Sequence, residues 1–242
     1  MKKKNYHKRI LAVILIAVLA LGNTGSVFAA KKTTKKKIAI DAGHQLKQNT
    51  GLEPIGPKAG TYKAKVSSGT YGPWSKLNEY ELNLIVAKQL QKELKKRGYD
   101  VYMIRTKHNV NISNKERAQR AAKAGADILI RIHANGDSNP SLRGALTLAP
   151  ASNNPYMKKS VIKQSQKLSK VVLDKFCKAT KAQKRSIIYT NQMSGINWST
   201  IPVTIVEMGF MTNKYDDLNM AKASYQKKMV KGIADGIDAY FK

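Results

Sequence analysis

The sequence predicts an α/β fold: one domain with a mostly parallel, twisted sheet flanked by helices. Three observations carry this expectation. Short apolar runs alternate with segments of helical period, the pattern of crossover connections between parallel strands. Two of the runs, Ile38-Ala-Ile-Asp-Ala-Gly-His44 and Ile130-Arg-Ile-His-Ala-Asn135, lead directly into a histidine. A third, Val203-Thr-Ile-Val-Glu207, leads directly into a glutamate. Strands covered on both faces are apolar, so a polar residue at the carboxyl end is delivered to the open edge where α/β sheets bind ligands.

The elements follow in order. Lys37–Asp41 is the first strand. Gln45–Lys76 holds five glycines and three prolines with no helical period, and is expected to form a long loop walling a groove. Helix one spans about Glu79–Arg97, with Leu82, Ile85, Val86, Leu90 and Leu94 on one stripe. Lys95, Lys96 and Arg97 suit its C-terminal dipole, and Gly98 suits the position just past its end. Asp100–Ile104 is the second strand. Ser113-Asn-Lys-Glu116 reads as a capping box opening helix two, which ends at Gly125. Asp127–Ile132 is the third strand and Gly144–Leu148 the fourth. A third helix lies within Asn154–Lys178, and Ser186–Thr190 is a weak strand. Pro202 bars a helix from entering Val203–Glu207, which supports a strand there. Met229, Ile233, Ile237 and Phe241 form the stripe of a last helix.

The first 29 residues carry the signature of a secretory signal peptide. Lys2, Lys3, Lys4, Lys8 and Arg9 precede the apolar run Ile10–Leu21, and Val27-Phe28-Ala29 offers small residues for cleavage. Twelve apolar residues are short for a membrane span, which needs about 20, so membrane contact is expected only through an uncleaved segment. Residues 30–36 form a basic lead-in, and residues 37–242 are expected to be the single folded domain. The whole chain carries +29, and its 213 residues beyond Ala29 carry +24. Such a charge implies attraction to anionic polymer. The Lys31–Lys37 cluster lacks aromatic interleaving and no nucleic-acid module signature occurs, so no nucleic-acid partner is expected. Cys177, the single cysteine, excludes an internal disulfide and reads as a buried apolar residue of a helix.

Two imidazoles and a carboxylate brought to one edge suggest metal-assisted hydrolysis. Beyond residue 29 the histidines are His44, His108 and His133. His108 sits in a polar turn and reads as a surface residue. A third ligand would then be a carboxylate, with Glu79 and Glu81 at the start of helix one as candidates and Glu53 as a loop alternative. Glu79 shares a helical face with Asn83 and Val86, whereas Glu81 points elsewhere. Spacing alone leaves a metal site and a set of purely structural residues equally open.

Residues 37–241 resemble the zinc-dependent N-acetylmuramoyl-L-alanine amidases of the amidase-3 family. The resemblance rests on Ile40-Asp-Ala-Gly-His44, Glu79 heading a Leu/Asn-rich helix, Arg105 after strand two, and Ile132-His-Ala-Asn135. Pro202-Val-Thr-Ile-Val-Glu-Met-Gly-Phe-Met-Thr-Asn213 completes the set, in family order. It implies zinc held by His44, Glu79 and His133, with Glu207 as the catalytic carboxylate and a metal site at the carboxyl edge of the strands. It implies peptidoglycan as substrate, cut between N-acetylmuramic acid and the L-alanine of the stem peptide, in a secreted protein associated with the cell wall. A wall peptidase with the same metal chemistry, or a non-catalytic cationic wall binder, are the rival readings. The chain departs from the family in Ala42 where proline is common, in Arg131 where serine is common, and at His108, where an aspartate is common. Arg131 and Asn135 are candidates for substrate contact, and Trp198 either lines the groove or joins the core.

Overall fold

The computed structural model describes residues 35–242, which form one unit. Segment 1–29, expected to be a signal peptide, and all but the last two residues of the expected lead-in 30–36 lie outside the described residues. Along the chain run β1 (Lys37–Ala42), β2 (Asn49–Pro54), β3 (Tyr62–Val66), α1 (Glu79–Lys96), β4 (Asp100–Met103) and α2 (Asn114–Lys123). Then come β5 (Ile128–Asn135), β6 (Ala145–Pro150), α3 (Lys159–Thr180), β7 (Lys184–Thr190), α4 (Ser194–Asn197), β8 (Val203–Phe210), α5 (Lys214–Ala221) and α6 (Ala223–Phe241). No helix among the described residues is long and apolar enough to cross a membrane.

Six strands form one sheet in the order β4-β1-β5-β8-β6-β7. The strands β4, β1, β5 and β8 run parallel, so His44, His133 and Glu207 reach the same edge. β6 pairs antiparallel with β8 and carries β7 parallel to itself, which turns the last two strands against the rest. Alternation along the strands decides what each face meets. Ile38, Ile40, Ile130, Ile132 and Val206 pack with α1, α3 and α6 in one core cluster. Ala39, Leu129, Leu148 and Ile205 pack on the other face with Ala118 and Ala121 of α2 and Ile196 of α4. On this second face Asp41, Arg131, His133 and Glu207 continue the alternation toward the open edge, with Asp41 opposite Arg131 and His133 opposite Glu207 in register.

Helix α3 crosses α6 closely. A Cβ at Gly232 would approach the backbone of Phe176 to 2.6 Å, and one at Gly236 would approach that of Val172 to the same distance. Gly236→Val should therefore overpack this crossing and lower stability by about 1–3 kcal/mol. Urea denaturation of the variant checks the shift in midpoint.

The stretch Gln45–Lys76 is not free of regular structure: β2 and β3 pair as an antiparallel hairpin with a register shift between Asn49 and Leu52. The hairpin leaves Leu52 at 65% and Tyr62 at 57% exposure and buries only Glu53 and Val66, so it has no alternating apolar pattern to betray it. In α1, Ile85 faces outward, while Leu84 and Ala87 join Leu82, Val86, Leu90 and Leu94 inside. α5, unforeseen from the sequence, is opened by Asn213, whose side chain accepts from the Tyr215 and Asp216 amides.

Candidate metal centre and catalytic site

The turn after β1 is held from below by two buried arginines. Arg105 donates to the carbonyls of Ala42 at 2.7 Å, Gly43 at 2.9 Å and Tyr80 at 2.8 Å. Arg117 donates to Asp41 at 2.7 Å, to the Ala42 and His44 carbonyls at 3.0 Å, and to Gln45 at 3.0 Å. These bonds secure His44 at φ 59°, a left-handed conformation that costs a non-glycine residue about 1–3 kcal/mol. Gly43 cannot carry a side chain here, because its Cβ would fall on the His133 imidazole. Burial pushes the Asp41 carboxyl up, but the Arg117 and Arg131 guanidiniums outweigh it and hold it well below the usual carboxylate range.

Above this platform three side chains converge. His44 Nε2 lies 3.1 Å from Glu79 Oε2, His133 Nδ1 lies 3.1 Å from Glu79 Oε1, and the two ring nitrogens are 3.2 Å apart. The ligand atoms of the set all fall within 4.8 Å of one another. Glu79 sits at the first turn of α1, where Asn83, one helical turn on, donates to its Oε1 at 3.1 Å. The Ala134 amide donates to the same oxygen at 3.0 Å and the Thr70 amide to Oε2 at 2.9 Å. Burial raises the Glu79 carboxyl, but its bonds to His133 and His44 prevail and hold it well below the ordinary range. Burial, aided by the neighbouring His44, lowers His133 to about 4, so its lone pair is free near neutrality. His44 Nδ1 lies 2.9 Å from the Ser67 carbonyl, a partner that leaves Nε2 to face the cluster. Two lone-pair nitrogens and a carboxylate facing one another repel unless a proton or a cation lies among them, and the donor chemistry suits a divalent metal.

Glu207 stands beside this cluster, paired with His133 across β5 and β8, and its Oε2 is buried without a protein partner. Burial first, and the Glu79 charge second, push its carboxyl well above the usual range, against the pull of Arg131. A cation held by the cluster would act on Glu207 in the opposite sense. His44, His133 and Glu207 share a cleft of about 240 Å³ with Arg131, Lys63 and Ser194.

The other sequence candidates fall elsewhere. Glu81 closes a capping box on Asn78, accepting from its amide at 2.9 Å. Glu53 accepts from the Lys115 amide at 3.0 Å and binds the hairpin to α2. His108 is exposed, with its ring edge-on to Tyr80 at 5.4 Å. Asn135 accepts from the Gly136 amide and does not line the cleft. Trp198 packs at the edge of the core, donates to the Pro54 carbonyl at 2.8 Å and lies 4.2 Å beneath the Lys115 ammonium. Cys177 is buried in the core and its thiol is pushed up to about 11 by burial. Sequence reasoning did not single out Asp41 or Arg117. A charge inside an apolar strand was the only signal for Asp41, and Arg117, one charge among several in α2, had none.

Residues 38–239 match the family described as N-acetylmuramoyl-L-alanine amidase. The N-acetylmuramoyl-L-alanine amidase LytC of Bacillus subtilis is 29% identical over 166 residues, covering 69% of this chain but only 32% of that protein. The chain thus spans about a third of that relative's length. Among solved structures, an N-acetylmuramoyl-L-alanine amidase from Clostridium difficile superposes with TM-score 0.69 at 26% identity, covering 86% of this chain and 97% of the other. The N-acetylmuramyl-L-alanine amidase of Mycobacterium abscessus superposes at 0.77 over 86% and 99%, with 21% identity, a likeness of fold. With the family matched over nearly all of the described residues, the chain belongs to the N-acetylmuramoyl-L-alanine amidase family.

Proposed function

We propose that this protein is an exported, zinc-dependent peptidoglycan hydrolase that cleaves the amide joining N-acetylmuramic acid to the L-alanine of the stem peptide. The observation that carries it is the His44–Glu79–His133 cluster beside the unpartnered Glu207 carboxylate in one cleft. The donor set would suit zinc: two imidazole nitrogens 3.2 Å apart, each 3.1 Å from a Glu79 oxygen, are the ligand types that zinc takes. When bound, zinc would polarise the scissile carbonyl and make water acidic enough to attack at neutral pH.

The protein's own groups supply the rest. Glu207 takes a proton from the attacking water as its oxygen bonds to the carbonyl carbon, and returns it to the nitrogen as the C–N bond breaks. The products are a lactyl carboxylate and a free α-amino group on alanine. Export rests on the N-terminal segment, and attraction to anionic wall polymers rests on the +24 carried beyond Ala29. Digestion of purified peptidoglycan, read by mass spectrometry, tests the reaction. Intact stem peptides freed at alanine are expected, and a chelator should suppress them. Products cut within the cross-links would identify a peptidase instead.

A further inference from the structure

Three buried guanidiniums lie under this site, those of Arg105, Arg117 and Arg131, and Asp41 is the carboxylate that pairs with the last two. Arg105 and Arg117 spend their donors on carbonyls, Asp41 and Gln45. Arg131 differs. Its Nε donates to Asp41 at 2.9 Å and its Nη2 to Asn114 at 2.7 Å, while Nη1 has no acceptor among the described residues. The guanidinium is clamped in place from the other side as well, since a Cβ on Gly195 would collide with Nη1. Arg131 lines the cleft that holds His44, His133 and Glu207, and Lys63 of β3 lines it too, its ammonium donating to the Gln192 carbonyl at 3.0 Å. A fixed guanidinium with a spare donor and an exposed ammonium facing one cleft make an anion subsite.

We infer that Arg131 and Lys63 together bind a free carboxylate of the stem peptide and so select substrates by the charge on its second residue. This rests on the amidase reading above. Arg131 precedes His133 by two positions on the same face of β5, an offset of about 7 Å along the strand. In peptidoglycan the second stem residue is a γ-linked glutamate with a free α-carboxylate, or its amide. In an extended peptide that group lies roughly 7 Å from the lactyl carbonyl, since successive Cα atoms are 3.8 Å apart. With the scissile carbonyl at the histidines, the carboxylate thus falls at the level of Arg131. A primary amide there would present N–H groups to cationic donors and lose the charge-assisted bonds.

The test uses two soluble muramoyl peptides, identical except that the second residue carries a free α-carboxylate or the primary amide. The metal-loaded full chain should cleave the carboxylate form with kcat/KM at least about tenfold higher, chiefly through KM. Lys63→Met, at an exposed position, should cut this preference several-fold, and Arg131→Gln, where it folds, should abolish it. Titration calorimetry of both peptides with the Glu207→Gln variant gives the preference without turnover. If neither peptide is cut at the lactyl amide, the amidase reading fails, while the calorimetric preference still reports on the subsite. Equal handling of the two peptides by the unaltered protein overturns the inference, as does full preference retained by Lys63→Met or by a folded Arg131→Gln.

Discussion

Glu207→Gln is expected to cut turnover steeply while leaving the fold and the metal content near those of the unaltered protein. The amide keeps the shape of the carboxyl group but cannot take the proton of the attacking water. General acid–base catalysis contributes about 10²–10⁴-fold, and kcat should fall by that factor. Metal should remain, because the convergent set is His44, Glu79 and His133 and Glu207 lies outside it. The fold should hold as well, since the Glu207 Oε2 has no protein partner to lose. Single-turnover rates with parallel metal analysis decide the matter. Near-normal turnover with metal retained would remove Glu207 from the mechanism, and loss of metal would make it a ligand.

Glu79→Ala is expected to lose both metal and activity, whereas Glu81→Ala should keep them. The two carboxylates lie two residues apart at the start of α1, yet they face different surroundings. Glu79 receives the Thr70 and Ala134 amides and the Asn83 side chain while lying 3.1 Å from each histidine. Removing it would take away one of the three proposed ligands and leave those amides without their acceptor. The bound metal should fall from about one per chain to near zero. Glu81 caps the helix, so its loss should cost about 0.5–2 kcal/mol of stability and nothing in metal content. Elemental analysis of the two purified variants, with thermal unfolding alongside, separates the roles. Retained metal in Glu79→Ala would displace that residue from the ligand set.

The closeness of the two glutamates shows how far residue pattern reaches. Helical geometry alone places Glu79 with Asn83 on one face and turns Glu81 away, and the structure has Asn83 bonded to Glu79 at 3.1 Å. Position toward the carboxyl edge is partly legible. His44 follows the end of β1 as expected, whereas β5 runs on to Asn135 and β8 to buried Phe210, past His133 and Glu207. Parallel pairing of β1, β5 and β8 still sends all three to one edge. The parallel α/β architecture itself follows from the alternation of strand and helix periods.

What pattern could not supply is long-range. The β2–β3 hairpin has no alternating apolar face, so it left no period in the sequence, and its position over the cleft is set by contacts such as Trp198 with Pro54 and Glu53 with Lys115. The reversed pair β6–β7 depends on which edge of β8 remained open, a matter of sheet assembly and not of either strand's composition. The arginine platform is the plainest case. Arg117 and Arg131 lie 76 and 90 residues from Asp41 in sequence; alone, Arg131 would read as a charge misplaced in an apolar strand and Arg117 as one more charge of a polar helix. Local periodicity thus determined the fold class and the edge to which the reactive side chains are delivered. Only the folded chain decided how the His44 turn is held, where the cleft lies and which arginine keeps a donor free, because buried charges are tolerated only when partners distant in sequence arrive to satisfy them.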